Sequence, residues 1–323
     1  MRKGKYFLVL IILVSYLKQG KAQTVIDNTQ IRFFADAGFK AARDSTQKFS
    51  NVFQYGNIEM LLTSQVTDKI SVLAEPVFLT DGVVLLNRAM LKYSFNDYFN
   101  LSAGKLYVPI GLWNNTYYHY ARVLTPTVDN PILASSGSRD VGVQLGGDNI
   151  TRARLGYRLM VGNGNFGSTS SKAITYNISA EPVDNLKFSF SGHHQKIPAG
   201  SLAPVEVRLN FVDASAMYMS GKGFEFSMDY IQVNRTNDFT GTSTQDLFFF
   251  YGGYKIKKFT PYTYFSNFVI ANDVINTTNT NNAALGLRYN FGALSVLKFE
   301  ALAFEAGDFK KINQVKLLWA IGF

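Results

Sequence analysis

Cysteine is absent from this 323-residue chain. Disulfides, thiolate chemistry and a lipid-modified cysteine anchor are thereby excluded. Charge is scarce as well: Asp, Glu, Lys and Arg make up 17% of the residues, against about 25% in an ordinary soluble domain. Histidine occurs only at His119, His193 and His194. No apolar run reaches the roughly 20 residues that a membrane-spanning helix needs. What is plentiful is apolar and aromatic surface, 47% and 15% of the chain, too much for a disordered polymer.

The longest apolar run lies at the start, in "MRKGKYFLVLIILVSYLKQGKAQ". Arg2, Lys3 and Lys5 precede an apolar stretch from Tyr6 to Leu17, and Gly20-Lys21-Ala22 offers small residues before Gln23. This pattern predicts a secretory signal peptide over 1–22, with the mature chain running over 23–323. The formal charge of +9 falls with it, because five of its 32 basic residues lie in that segment; 27 basic against 23 acidic residues leave +4. A polyanionic partner such as nucleic acid is not indicated.

After residue 22 the recurrent pattern is alternation over about ten residues. Phe224, Phe226, Met228 and Tyr230 alternate with Glu225, Ser227 and Asp229; Leu155, Tyr157, Leu159 and Val161 alternate with Gly156, Arg158 and Met160. Leu285, Leu287, Tyr289 and Phe291, and Val315, Leu317, Trp319, Ile321 and Phe323, repeat it. Period two means strands. About ten residues suits a tilted membrane crossing, whereas soluble strands average five or six. One face carries Phe, Tyr and Leu; the other carries Arg, Lys, Glu, Ser and Gly, which suit water better than a packed core.

Short polar turns, as at Thr67-Asp68-Lys69, Asn96-Asp97, Asp148-Asn149 and Lys257-Lys258, alternate with longer breaks. Seven turns and eight breaks join about sixteen strands. The fold expected is all-β: a transmembrane antiparallel β-barrel with short periplasmic turns and longer outer loops. The ending "KLLWAIGF" resembles the terminal strand that outer-membrane assembly machinery recognises. Barrels of sixteen to eighteen strands leave an aqueous channel, while about eight strands fill their own interior.

The segment Asn87–Gly147 resembles the phosphate-selective porin O/P group of Gram-negative bacteria. "LKYSFNDYFNLSAGKLYVPIGLWN" and then "RDVGVQLGG" from Arg139 carry the resemblance. It implies a diffusion porin of the outer membrane, often a homotrimer, passing small hydrophilic solutes or ions. The break from Pro109 to Asp140 is the longest and the third on the outer side. In general porins that loop folds into the lumen, and the resemblance places Arg122, Asp129, Arg139 and Asp140 at a constriction here. No cofactor and no metal are implied.

Parity, set by turning aromatics to lipid, points Arg32, Arg88, Lys92, Arg158, Lys187, Arg208, Arg288, Lys298 and Lys316 inward. It does the same for Asp36, Glu59, Glu75, Glu181, Glu225, Asp229 and Glu300. A lumen of nine basic and seven acidic residues predicts a weak anion bias, unless most of these groups pair across strands. Trp113, Tyr117, Trp319 and Phe323 are expected in aromatic girdles. Two stretches resist a parity assignment, Phe248–Tyr254 and Tyr262–Phe268, and Val205–Ser220 reads as shifting phase near Asp213.

Alternatives remain. A substrate-specific transport barrel, for instance for apolar solutes, shares this rhythm. A barrel enzyme would need a Ser–His pair, for which Ser189, Ser191, His193 and His194 are the nearest material; no motif joins them, and the chain is read as no enzyme. His193 and His194 are neighbours on a strand and point to opposite faces, a poor metal site. "GNGNFG" at 162–167 fits the dinucleotide fingerprint in letters but precedes no helix.

Overall fold

The computed structural model describes residues 28–43, 48–56, 58–79, 81–112, 114, 139–164, 171–200, 204–239, 241–271, 277–292, 294–306 and 312–322. Segment 1–22, most of the long third break, and Arg122, Asp129, Trp113, Tyr117 and Phe323 lie outside the described residues.

The strands are β1 (Thr29–Arg43), β2 (Phe49–Tyr55), β3 (Ile58–Gln65), β4 (Ile70–Phe78), β5 (Val84–Asn96), β6 (Phe99–Tyr107), β7 (Arg139–Ile150), β8 (Leu155–Gly162) and β9 (Ala173–Val183). They continue as β10 (Leu186–Ile197), β11 (Val207–Met219), β12 (Gly223–Asn237), β13 (Gly241–Lys255), β14 (Phe259–Ala271), β15 (Thr277–Asn290), β16 (Ser295–Ala306) and β17 (Ile312–Gly322). From β3 onward each strand pairs antiparallel with the next, and β17 pairs with β1, Phe39 opposite Leu317, so the sheet closes. Closure removes the unpaired edges that hydrocarbon cannot solvate.

Both β2 and β3 pair with β1, Tyr55 opposite Ala37 and Glu59 opposite Phe34. The offset is one residue, a β-bulge at Gly56, whose amide donates to the Asp36 carbonyl at 2.9 Å. The two segments are therefore one stave, and the barrel has sixteen, as the turn spacing predicted. One turn moves: β7 continues to Ile150, and the turn to β8 is at Thr151–Arg154 rather than at Asp148-Asn149.

The outward face shows where the membrane lies. On β10 to β13 it begins apolar, with Phe188, Phe190, Val212, Met228 and Phe224 exposed. It then turns polar at one level: His194 lies opposite Asn210, Asn210 opposite Asn234, and Asn234 opposite Thr244. These four strands have 12 to 15 residues, whereas β4, β6 and β8 have 8 or 9, so the long ones project beyond the apolar band on the outer side. Near the opposite end, outward aromatics pair: Tyr93 with Phe95, Phe95 with Phe99, Phe259 with Tyr289, and Tyr289 with Phe291. Trp319 is 54% exposed there, its indole N–H donating to Ser295 Oγ at 3.2 Å.

The core is inside the barrel. Ile197, Val207, Leu209, Phe211, Ile231, Val233 and Leu247 form one buried cluster with Val108 and Ile110. Met217, Phe249, Tyr251, Tyr262, Tyr264, Ala284 and Leu302 form a second with Leu112. These wall residues face inward on β10 to β16, so that side of the inner wall carries two apolar patches among its polar groups where alternation alone would have made it polar throughout. That resolves the ambiguous stretches. Phe249, Tyr251, Tyr262 and Tyr264 point in, while Phe248, Phe250, Phe259 and Phe265 point out. The Tyr262 ring lies over Gly286, where a Cβ would come within 2.1 Å of it. The phase shift expected in Val205–Ser220 does not occur: Val207, Leu209, Phe211, Asp213, Ser215 and Met217 all face in. Arg208 consequently faces out and pairs with Asp238 at 3.0 Å, correcting its inward assignment.

Candidate functional site: a polar passage beside an inward turn

The chain leaves β6 through "VPIGLWN", Val108 to Asn114. Pro109 cannot donate to a ladder, and the wall stops there. The Ile110 amide turns back to the Val108 carbonyl at 2.8 Å, and Asn114 Nδ2 donates to the same carbonyl at 2.6 Å. Gly111 has φ +60°, a left-handed backbone that favours glycine. This closed turn enters the lumen. Val108, Ile110, Leu112 and Asn114 are 2%, 0%, 3% and 2% exposed, and the first three pack against the apolar patches of the wall. Burying an aliphatic side chain contributes about 1.5–3 kcal/mol, so the three together hold the turn with roughly 5–9 kcal/mol.

The inner wall from β5 to β10 carries a polar surface. Two contiguous recesses of about 340 and 230 Å³ run along it, sharing Asp148 and Arg158. Leu112 borders the first, so the turn and the recesses lie side by side. Five basic side chains line them, Arg88, Lys92, Arg154, Arg158 and Lys187, against two acidic ones, Asp148 and Glu181. Asn100, Ser102, Gln144, Asn177 and Ser179 supply neutral polar groups.

The basic groups differ in their partners. Arg88 Nε donates to Glu75 Oε2 at 2.5 Å, and its guanidinium lies 4.3 Å from the centre of the Tyr107 ring. Glu75 is fully buried and also accepts from Asn87 Nδ2 and Tyr107 Oη, each at 3.2 Å. Arg158 donates to both oxygens of Asp148 at 2.8 Å. At the β7–β8 turn Arg154 meets Asp184 at 2.5 Å and Glu181 at 3.1 Å. These carboxylates, Asp184 foremost, hold the Arg154 guanidinium above its usual pKa. Lys187 is 3.7 Å from Glu181. Lys92, half-buried and lining the second recess, makes no ion pair among the described residues.

Of the residues expected to face the lumen, Arg88, Lys92, Arg158, Lys187 and Glu181 border this passage. Arg32 is exposed near the start of β1, and Lys316 is half-buried on β17. Glu59, Arg288, Lys298 and Glu300 face inward but are 3%, 4%, 1% and 0% exposed. They meet protein rather than lumen water. Arg288 pairs with Glu225 at 3.0 Å and also donates to Tyr251 Oη at 3.3 Å. Tyr251 in turn donates to Glu225, and Tyr262 to Glu300 at 2.6 Å.

Of the four constriction residues two are described. Arg139 stands over Tyr107, 5.6 Å from the ring centre. Asp140 Oδ2 accepts the Gly164 amide at 2.8 Å and Oδ1 accepts its neighbour Val141 at 2.7 Å. Asp140 thus ties β7 to the end of β8. His193 and His194 do face opposite ways. His193 Nδ1 is 2.8 Å from Thr175 Oγ1, its ring stacked on Phe211 at 4.4 Å. Ser189 and Ser191 instead accept from Asn177. Among the described residues no group of three or more His, Asp or Glu is placed to hold a metal ion.

Sequence reasoning pointed Lys187 inward but missed Arg154, its neighbour in a basic mouth, because Arg154 lies in the displaced turn. It also missed the receiving apolar patches. The signal for them was present, in the odd-numbered Val207, Leu209 and Phe211 and in the tyrosines of β13 and β14, but it read as ambiguous phase.

No family model matches the chain, and no curated protein does. Solved structures share its fold at low identity. An anion-selective porin from Comamonas acidovorans superposes with a TM-score of 0.71 at 11% identity, covering 92% of this chain and 99% of that one. Salmonella typhi OmpF, solved with daunomycin, gives 0.67 at 12% identity over 92% and 99%. The trimer form of Vibrio cholerae OmpT, an outer membrane protein, gives 0.65 at 13% over 92% and 100%. At such identities the likeness establishes the architecture, a closed sixteen-stranded antiparallel β-barrel shared with outer-membrane porins.

Proposed function

We propose that this chain is an outer-membrane porin, a passive channel for small hydrophilic solutes and ions with a weak preference for anions. The observation that carries the reading is the lopsided lumen. The inward turn packs on apolar patches of β10 to β16, and beside it the wall of β5 to β10 carries a polar passage lined by five basic and two acidic side chains. Charge at a narrow lumen acts on ions at short range, where salt screens little. The similar Comamonas structure is described as an anion-selective porin, which agrees with this bias.

The remaining assignments belong to this reading. Residues 1–22 direct export. Arg122 and Asp129, with Arg139 and Asp140, complete the constriction from the third loop. The lipid-facing band seats the barrel in the outer membrane. A homotrimer is proposed by analogy with the OmpT trimer form.

Planar-bilayer recording in a salt gradient tests it. Stable open steps and a reversal potential of anion-selective sign are expected. Lys92→Glu should move the potential toward cation selectivity, because Lys92 lines the passage without a carboxylate partner among the described residues. Steps that are absent sink the channel reading; cation selectivity in the parent protein sinks the anion bias alone.

A further inference from the structure

Apolar packing holds the turn inside the barrel but is non-directional, so by itself it does not set where along the wall the turn sits. A hydrogen-bond junction beneath it has the required direction. The Gly111 amide donates to Ser191 Oγ at 3.0 Å. The same oxygen accepts from Asn177 Nδ2 at 2.8 Å and donates to Asp213 Oδ1 at 3.3 Å. A serine hydroxyl has one proton and two lone pairs, and all three are used. Asn177 also reaches Ser189 Oγ at 2.6 Å, and Ser215 Oγ reaches Asp213 Oδ1 at 2.9 Å. The junction thus spans β9, β10 and β11, and Ser191 and Asp213 are fully buried.

We propose that Ser191 is a positioning residue: it locks the inward turn to one seat on the wall through the Gly111 amide, and so sets the width and steadiness of the passage. The inference rests on the porin reading above. Its geometric basis is that Leu112, one residue beyond the locked amide, and Asn177, which the junction holds, both line the first recess. A shift of the turn along the wall would move one border of the passage against the other. Ions would meet a lumen of fluctuating width, while the basic side chains on β5, β8 and β10 would stay where they are.

Ser189 provides a matched control. It lies on the same strand and face, is buried, and accepts from the same Asn177, yet among the described residues it makes no hydrogen bond to the turn. Single-channel recordings would compare the parent protein, Ser191→Ala and Ser189→Ala, with folding checked by heat-modifiable migration on gels. Losing one hydrogen bond of ordinary strength should raise the displaced-seat population about five-fold. The expected result is a rise of that order in brief current fluctuations for Ser191→Ala, an unchanged reversal potential, and parent-like recordings for Ser189→Ala. Should Ser191→Ala not fold, Ser191→Cys serves, since sulfur is a weak acceptor of similar shape; it should give an intermediate rise. Equal effects at Ser191 and Ser189, or quiet channels in every variant, overturn the proposal. Absence of conductance in the parent would instead overturn the porin reading on which it stands.

Discussion

Arg288 and Lys92 both carry positive charge on the inner wall, and their surroundings give them different work. Arg288 is enclosed with Glu225, Tyr251 and Thr260. Breaking a buried pair by removing one partner leaves the other charge without compensation and costs about 3–5 kcal/mol, whereas replacing both by apolar groups is often neutral. Arg288→Met is therefore expected to lower the barrel's resistance to urea by that amount, and Glu225→Leu combined with Arg288→Met to recover most of it. Equilibrium unfolding in detergent, followed by gel mobility, checks both. Neither change should move the reversal potential much, in contrast to Lys92→Glu. Strand parity made the inward direction of both residues legible. Their difference in burial was not, because it depends on what covers each patch of wall.

At the scale of elements, the inward turn and the apolar patches that receive it form one unit. Ile110 is fully buried between β10, β11, β12 and β13 in the first cluster. Ile110→Ala should cost about 2–5 kcal/mol through lost burial and the cavity left behind, seen as an earlier urea midpoint. It should also make the Val108–Leu112 turn more accessible to protease, since this packing is what seats it. An Ile110→Ala protein as stable and as protease-resistant as the parent would show that the turn is not held by this packing. The break after Tyr107 was legible from Pro109 and Gly111. The same reading failed on β11, β13 and β14 for a single reason: it assumed that apolar side chains face lipid, and here an internal segment supplies a second apolar surface for them to meet.

At the scale of the molecule, the barrel stands unevenly in its membrane. Leu285 is 70% exposed on the apolar band, whereas Thr244 faces outward on the projecting part of β13 among Asn234, Asn210 and His194. A cationic side chain costs about 2–4 kcal/mol at the bilayer midplane and about 0–1 near the interface. Leu285→Arg should thus impair folding into lipid vesicles by about that larger amount, and Thr244→Arg should be nearly silent. Equal penalties would mean that the band lies elsewhere on the barrel.

The sequence by itself determined the period, and with it the class of fold. Alternation over about ten residues, seven short turns and a long third break were enough for sixteen strands, because each of these is a local property of the chain. Closure, the bulge at Gly56 that merges β2 and β3 into one stave, and the displaced turn at Thr151–Arg154 needed pairing partners. So did the division of the lumen. Which inward charges border the passage and which are enclosed was decided only when the Val108–Asn114 turn met the wall of β10 to β16, a contact between residues up to about two hundred positions apart. Parity says which way a side chain points; only the assembled barrel says what waits there, water or protein.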